Sequence, residues 1–136
     1  MKKKNLMCLD VGTRRIGVAL ADSAVKIAVP FTTVETDDDK TEIDEISKII
    51  AREEIDILVV GLPRNLSGEE TAQSAYTKEV ASQFEMLVDK IVFQDESLTS
   101  IQAENLLKSY KKPYSKGDID MNAAAIILQD YLEENF

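Results

Sequence analysis

Three carboxylates, Asp10, Glu96 and Asp120, occupy the positions in this chain that best suit catalysis. Asp10 and Glu96 each follow a short apolar run, at residues 6–9 and 91–93, of the kind that forms a buried strand. Acidic residues at the carboxyl ends of such strands gather at the edge of an α/β sheet where ligands bind. Convergent carboxylates suit Mg²⁺ or Mn²⁺, and one or two such ions support phosphoryl transfer. The pattern therefore predicts a hard-metal site.

Asp120 joins this set because of its place on a predicted helix. It shares a helical stripe with apolar residues that should pack against the sheet, namely Ala123, Ala124, Ile127 and Tyr131. An inward carboxylate is costly unless it is paired or bound to a metal. The alternative is that Asp120 lies in the first turn and stabilises the helix N-terminus, with Asp118 as the cap.

Composition excludes much of the remaining catalytic chemistry. The 136 residues include no histidine and one cysteine, so Ser-His and Cys-His catalysis and Cys/His zinc sites are absent. The length predicts a single domain over residues 1–136. No apolar run approaches a membrane span, which predicts a cytoplasmic protein with no membrane partner. The net charge of −9 disfavours indiscriminate nucleic-acid binding but allows a local basic patch.

The elements that must position these acids alternate along the chain. Strands are predicted near residues 6–9, 16–21, 27–34, 57–60 and 91–93. A first helical segment follows the acidic run 37–39 and carries isoleucines at helical spacing (43, 46, 49 and 50), and further helices are predicted near 69–88, 99–112 and 118–136. Thr99 and Gln102 form a predicted capping box. Pro30 suits an edge strand. The first three strands should form an antiparallel meander and strands one, four and five should be parallel, which predicts an α/β fold with a mixed five-stranded sheet and about four helices.

Four spaced motifs resemble those of the YqgF family. They are LDVGTRRIGVA at residues 9–19, VGLPRN at 60–65 with Gly68, DESLT at 95–99, and Asp120 with the pairs at 123–124 and 127–128. The resemblance implies an RNase H-like fold, and the family is described as Holliday-junction-resolvase-like or as a nuclease of the 5′ end of pre-16S ribosomal RNA. It also implies that Asp10, Glu96 and Asp120 are the catalytic metal ligands.

The chain departs from the family pattern at Ser97, where the family usually has arginine. The missing guanidinium would have bound phosphate, and Arg14, Arg15 or Arg64 is expected to compensate. Further predicted nucleic-acid contacts are the lysines that precede Asp120, which are Lys108, Lys112 and Lys116. Lysines near a helix C-terminus also interact with the helix dipole, which is the alternative explanation.

The sequence thus predicts a metal-dependent endonuclease that processes the 5′ end of pre-16S rRNA. Three alternatives stay open: a Holliday junction resolvase acting on branched DNA, a non-catalytic RNA- or ribosome-binding module, and a nucleotide-binding protein that shares Asp-x-Gly-Thr with actin-like ATPases. A homodimer would suit a symmetric four-way junction, because two incisions need two sites. A monomer would suit RNA trimming.

Overall fold

The computed structural model describes residues 2–63, 71–96 and 99–136. Its elements follow one another as β1 (Asn5–Val11), β2 (Arg15–Asp22), β3 (Val29–Glu35), α1 (Thr41–Arg52), β4 (Ile57–Leu62), α2 (Ala72–Ser82), β5 (Lys90–Asp95), α3 (Thr99–Ser109) and α4 (Lys116–Asn135). Apolar, β-branched runs form the strands, and helical spacing of isoleucines forms α1. Among the described helices, none has the length and apolar character needed to cross a bilayer.

The strands form a single mixed sheet in the order β3-β2-β1-β4-β5. β1 pairs antiparallel with β2 and parallel with β4, and β4 pairs parallel with β5. The predicted α/β fold with a mixed five-stranded sheet and four helices is therefore confirmed. β3 lies at the edge, as Pro30 predicts, and a register shift in its pairing with β2 further interrupts that edge.

Each face of the sheet is covered by helices, which bury two apolar cores. On one face, α1 and α2 pack their isoleucines, Val80 and Ala81 against β1, β2 and β4. On the other face, α4 packs residues 124–132 against Leu6 and Cys8 of β1 and Val59 of β4. Because side chains alternate along a strand, Asp10 lies on the same face as Leu6 and Cys8. The face that carries α4 therefore carries Asp10.

The predicted helix over residues 69–88 is too long, since α2 ends at Ser82. Beyond it the chain tightens into turns, in which the N–H groups of Gln83 and Phe84 donate to carbonyls three residues earlier. These turns bury Phe84 completely and leave Met86 almost fully exposed. Periodicity could not show this change, because the tertiary contact of Phe84 decides where the helix ends. The predicted Thr99–Gln102 capping box depends on a side chain outside the described set.

Candidate active site

Asp10 and Glu96 lie at the carboxyl edge of the parallel strands, where the sequence placed them. Asp10 is the sixth residue of β1 and follows Leu9, which is paired with Val60 of β4. Glu96 directly follows β5, whose last residue, Asp95, is paired with Leu62 of β4. The register of three neighbouring strands therefore brings these two acids to one edge.

The carboxyl groups of Asp10 and Glu96 contact each other. A hydrogen bond joins them, and burial together with mutual repulsion raises the pKa of Glu96 to about 9. Burial also raises the pKa of Asp10, and the charge of Asp120 raises it further, although the hydrogen bond from Glu96 opposes both effects. The directions fit a protonated Glu96 that donates to an ionised Asp10. A bound cation would favour the ionised forms of both groups.

Gly61 of β4 leaves the space that Glu96 occupies. A Cβ at this position would lie 2.6 Å from Oε2 of Glu96 and 2.7 Å from Cδ1 of Ile127. Both distances are too short for real contacts, so a larger residue would displace the carboxylate or the helix. Gly61 therefore leaves room for the Glu96 side chain to pass over β4, the strand that separates β5 from β1, towards Asp10.

Gly17 of β2 brings the third acid to the same place. Gly17 is the cross-strand partner of Asp10, and its ideal Cβ would lie only 2.1 Å from the backbone oxygen of Asp120. The α4 backbone thus rests directly on the strand beside Asp10. Ser115 caps α4 and forms a capping box with Asp118, so Asp120 lies beyond the first turn. The alternative with Asp118 as cap and Asp120 in the first turn is therefore wrong.

Arg15 holds the carboxylate of Asp120. Its Nε–H donates to Oδ2 of Asp120 at 2.6 Å, and the two side chains are 29% and 22% exposed. Arg15 begins β2 at the same edge as Asp10, because β2 runs antiparallel to β1. The residue predicted to contact nucleic acid is therefore paired with a predicted metal ligand.

This pairing affects the predicted metal site. The donor set is chemically suitable, since three carboxylates offer the hard oxygen ligands that Mg²⁺ and Mn²⁺ take. Within the described residues, however, no three acidic, histidine or cysteine side chains are gathered closely enough to hold one ion. Asp10 and Glu96 are adjacent, whereas Asp120 is turned to Arg15. For Asp120 to join Asp10 and Glu96 as a metal ligand, its carboxylate would have to leave Arg15.

The other predicted nucleic-acid contacts that the structure describes are exposed side chains. Arg14 is exposed in the turn that joins β1 to β2, beside the acidic edge. Lys112 is exposed between α3 and α4, Lys116 is exposed as the first residue of α4, and Lys108 forms a 3.7 Å ion pair with Glu104 on its own helix. Exposed pairs of this kind are weak, so this one leaves Lys108 able to meet phosphate. Arg64 and Ser97 lie outside the described residues.

Comparison with known proteins assigns the chain to a family. The family model described as "RuvX: Holliday junction resolvase" matches residues 4–134. The chain belongs to the RuvX family. A relative from Chloroflexus aggregans is 37% identical over 136 residues, which cover 98% of this chain and 96% of the relative, and its name is "Putative pre-16S rRNA nuclease". A Synechocystis relative of the same name is 38% identical over 135 residues, with 97% and 89% covered. The YqgF resemblance of the four motifs is confirmed.

Solved structures confirm the RNase H-like fold. T. thermophilus RuvC, in a complex with a Holliday junction substrate, superposes with a TM-score of 0.58 at 15% identity over 96% of this chain and 94% of RuvC. The fowlpox virus resolvase, in a complex with Holliday junction DNA, gives a TM-score of 0.57 at 13% identity, with 96% and 97% covered. At these identities the likeness concerns the fold alone. The chain thus shares its overall fold with these two proteins.

Two glycines at the site were missed as positioning residues by reasoning from the sequence. Gly17 and Gly61 both lie inside strands, where glycine weakens β-structure unless another group approaches the backbone closely. That signal was present in the sequence, because each glycine interrupts an otherwise apolar run. It indicated a close approach without showing that the approaching groups are Asp120 and Glu96.

Proposed function

We propose that this RuvX-family chain is an endonuclease in which Asp10, Glu96 and Asp120 hold one or two Mg²⁺ or Mn²⁺ ions. The observation that carries the proposal is the contact between the buried carboxyls of Asp10 and Glu96, each of which has a pKa that burial raises. Buried acids held together at a sheet edge are destabilising unless a proton or cation neutralises them. Such ions, when bound, activate water and stabilise the leaving oxygen of a phosphodiester.

The residues of the chain provide three further functions. The Asp10 carboxyl interacts with Glu96 through a hydrogen bond and with Asp120 through its charge, which suits a ligand that bridges two ions. The Glu96 carboxyl occupies the space beside Gly61 that a side chain at that position would fill. Arg15 orients Asp120 and neutralises it before a cation arrives. If Asp120 held the ion together with Asp10 and Glu96, the guanidinium of Arg15 would be free at the same edge to bind a phosphate of the substrate.

The substrate that we favour is the 5′ end of pre-16S rRNA, processed in the cytoplasm during ribosome biogenesis. Relatives that match nearly the whole chain carry the name of a pre-16S rRNA nuclease, which supports this choice. Branched DNA is the second candidate, because the family model is described as a Holliday junction resolvase. A non-catalytic RNA-binding module is the outcome that a failed cleavage test would favour.

A direct comparison of substrates tests the proposal. The purified chain is offered an RNA that spans the 5′ end of 16S rRNA and its leader, and separately a four-way DNA junction, each with Mg²⁺, Mn²⁺ or EDTA. We expect cleavage of the RNA with either ion and none in EDTA. Cleavage of the junction alone would support the resolvase instead. RNA binding without cleavage under all three conditions would refute the nuclease. The mass in solution separates a monomer from the homodimer that paired incisions require.

A further inference from the structure

A cavity rich in lysine lies at the end of the sheet opposite the acids. Its volume is about 670 Å³, and five lysines are among the residues that line it, namely Lys2, Lys3, Lys4, Lys26 and Lys90. These five come from three separate segments of the chain, so neither a run of lysines nor a single helix accounts for the cluster. The chain as a whole carries a net charge of −9, which makes such a concentration of positive charge a distinct local feature.

The register of the sheet fixes where this lysine cavity lies. Lys2–Lys4 precede β1, Asp56 precedes β4 and Lys90 begins β5, so the cavity is formed around the starts of the three parallel strands. Asp10 and Glu96 lie at the ends of the same strands. Six residues of extended strand separate Lys4 from Asp10, which corresponds to about 20 Å. The lysine cavity is therefore a separate surface and not part of the acidic site.

The backbone around the lysines is held in place. Lys4 donates its N–H to Oγ of Ser23 at 2.8 Å, and its carbonyl accepts the N–H of Ser23. Lys26 donates its ammonium group to the backbone oxygen of Phe136 at 2.9 Å. These contacts join the start of β1, the segment after β2 and the end of α4 into one concave surface. The backbone that carries these lysines therefore needs no reordering when a ligand binds.

Acidic neighbours leave most of the positive charge uncompensated. Two carboxylates line the lysine cavity, and one of them, Asp56, accepts the backbone N–H of Asn5 through Oδ2 at 2.9 Å. Asp22 lies close enough to Lys3 for that charge to help lower its pKa, although Asp22 mainly accepts backbone N–H groups. In the part of the chain that the structure describes, the ion pairs within 4.0 Å are Arg15–Asp120 and Lys108–Glu104, and neither involves these lysines.

We propose that the lysine cavity binds the phosphodiester backbone of the nucleic-acid substrate and anchors it at a distance from the cleaved bond. The proposal rests on the nuclease function proposed above. Several lysines that line one concave surface suit a polyanionic strand, because each ammonium group can neutralise a phosphate. A duplex advances 3.4 Å per base pair, so a substrate that reaches both sites extends over at least about six base pairs. The distance between the two sites thus sets a minimum length for a substrate that contacts both.

The test measures RNA binding in EDTA, where cleavage is absent. A labelled 24-nucleotide single-stranded RNA is titrated by fluorescence anisotropy at several KCl concentrations, with the Lys4→Gln/Lys90→Gln double variant beside the unmodified chain. Each lost phosphate contact reduces the slope of log K against log salt by about 0.7, so we expect the slope to become shallower by about 1.4. Lys40→Gln/Lys48→Gln is the matched control, because both of its lysines are exposed and lie at α1, on the other face of the sheet.

The outcomes separate this inference from the proposed function. Unchanged binding by the Lys4/Lys90 variant, or an equal loss in the Lys40/Lys48 control, would overturn the anchoring site even if the chain cleaves RNA with Mg²⁺. A selective loss in the Lys4/Lys90 variant supports the site even if no metal restores cleavage, and the nuclease proposal alone then fails. Thermal unfolding of both variants within about 2 °C of the parent ensures that binding is compared between folded proteins.

Discussion

Replacing Gly17 by alanine should move α4 and displace Asp120 from the site. The new Cβ would lie 2.1 Å from the Asp120 backbone oxygen, and an ordinary contact needs at least 3.4 Å, so strand and helix must separate by about 1.3 Å. A backbone oxygen cannot rotate away as a side chain does, and overpacking of this kind costs about 1–3 kcal/mol. For a chain of this length, that lowers the melting temperature by roughly 3–10 °C.

The same displacement should reduce catalysis more than it reduces stability. Misplacement of a catalytic group by about 1 Å costs on the order of a hundredfold in rate. The assay compares thermal unfolding and metal-dependent cleavage of Gly17→Ala at a temperature where the variant is fully folded.

Gly117→Ala is the matched control for Gly17→Ala. Gly117 lies in the first turn of the same helix, where a new Cβ would be 3.6 Å from its nearest neighbours. Alanine should therefore be tolerated there, with a gain in stability of up to about 1 kcal/mol. A Gly17→Ala variant with the parent's melting temperature and activity would refute the claim that close packing of α4 on β2 positions Asp120.

Further predictions concern the charges around the acids. Arg15→Gln should bind Mn²⁺ about tenfold more tightly by calorimetry, because Asp120 no longer has to break an ion pair with Arg15 before it binds the ion. Weaker binding by this variant would contradict the idea that Asp120 exchanges Arg15 for the ion. In EDTA, the free energy of unfolding should fall as pH rises from about 5 to 9, because folded Glu96 keeps a proton that an unfolded glutamate loses near 4.5. Urea unfolding at several pH values should show a decrease of at most about 1.4 kcal/mol per pH unit. Glu96→Gln should flatten this dependence on pH. Cys8 is fully buried with a raised pKa, so a thiol reagent should modify it only on unfolding, and fast labelling of the native chain would contradict the packing of β1.

The strands and the edge of the sheet were predictable because local sequence determines them. The apolar runs before Asp10 and Gly61 indicate buried parallel strands, and Pro30 indicates the edge strand β3. The inward stripe of α4 placed Asp120 against the sheet, although it did not show what Asp120 touches. Element order and periodicity therefore sufficed for the topology and for the meeting of Asp10 and Glu96 at one edge.

The remaining details depend on contacts between residues far apart in the chain. The ion pair of Arg15 with Asp120 joins residues 105 positions apart, and sequence periodicity carries no signal for it. The early end of α2 depends on the burial of Phe84. The lysine cavity is formed by the starts of strands that are neighbours only in the folded sheet. Such features follow from the register and packing of the sheet, which become known only with the structure.

The central claim, that the acids at this edge bind divalent ions which cleave a phosphodiester, is tested most directly by Asp10→Asn. Cleavage of the 5′-leader RNA is measured with Mg²⁺ and with Mn²⁺ for the unmodified chain and the variant, alongside their thermal unfolding. We expect a loss of about a thousandfold or more, since a lost metal ligand removes several kcal/mol of transition-state stabilisation. The variant should unfold at the same or a higher temperature, because it removes a buried charge and the repulsion with Asp120, while the amide oxygen of asparagine can still accept from Glu96. Full activity of the folded variant, or of the unmodified chain in EDTA, would contradict the account.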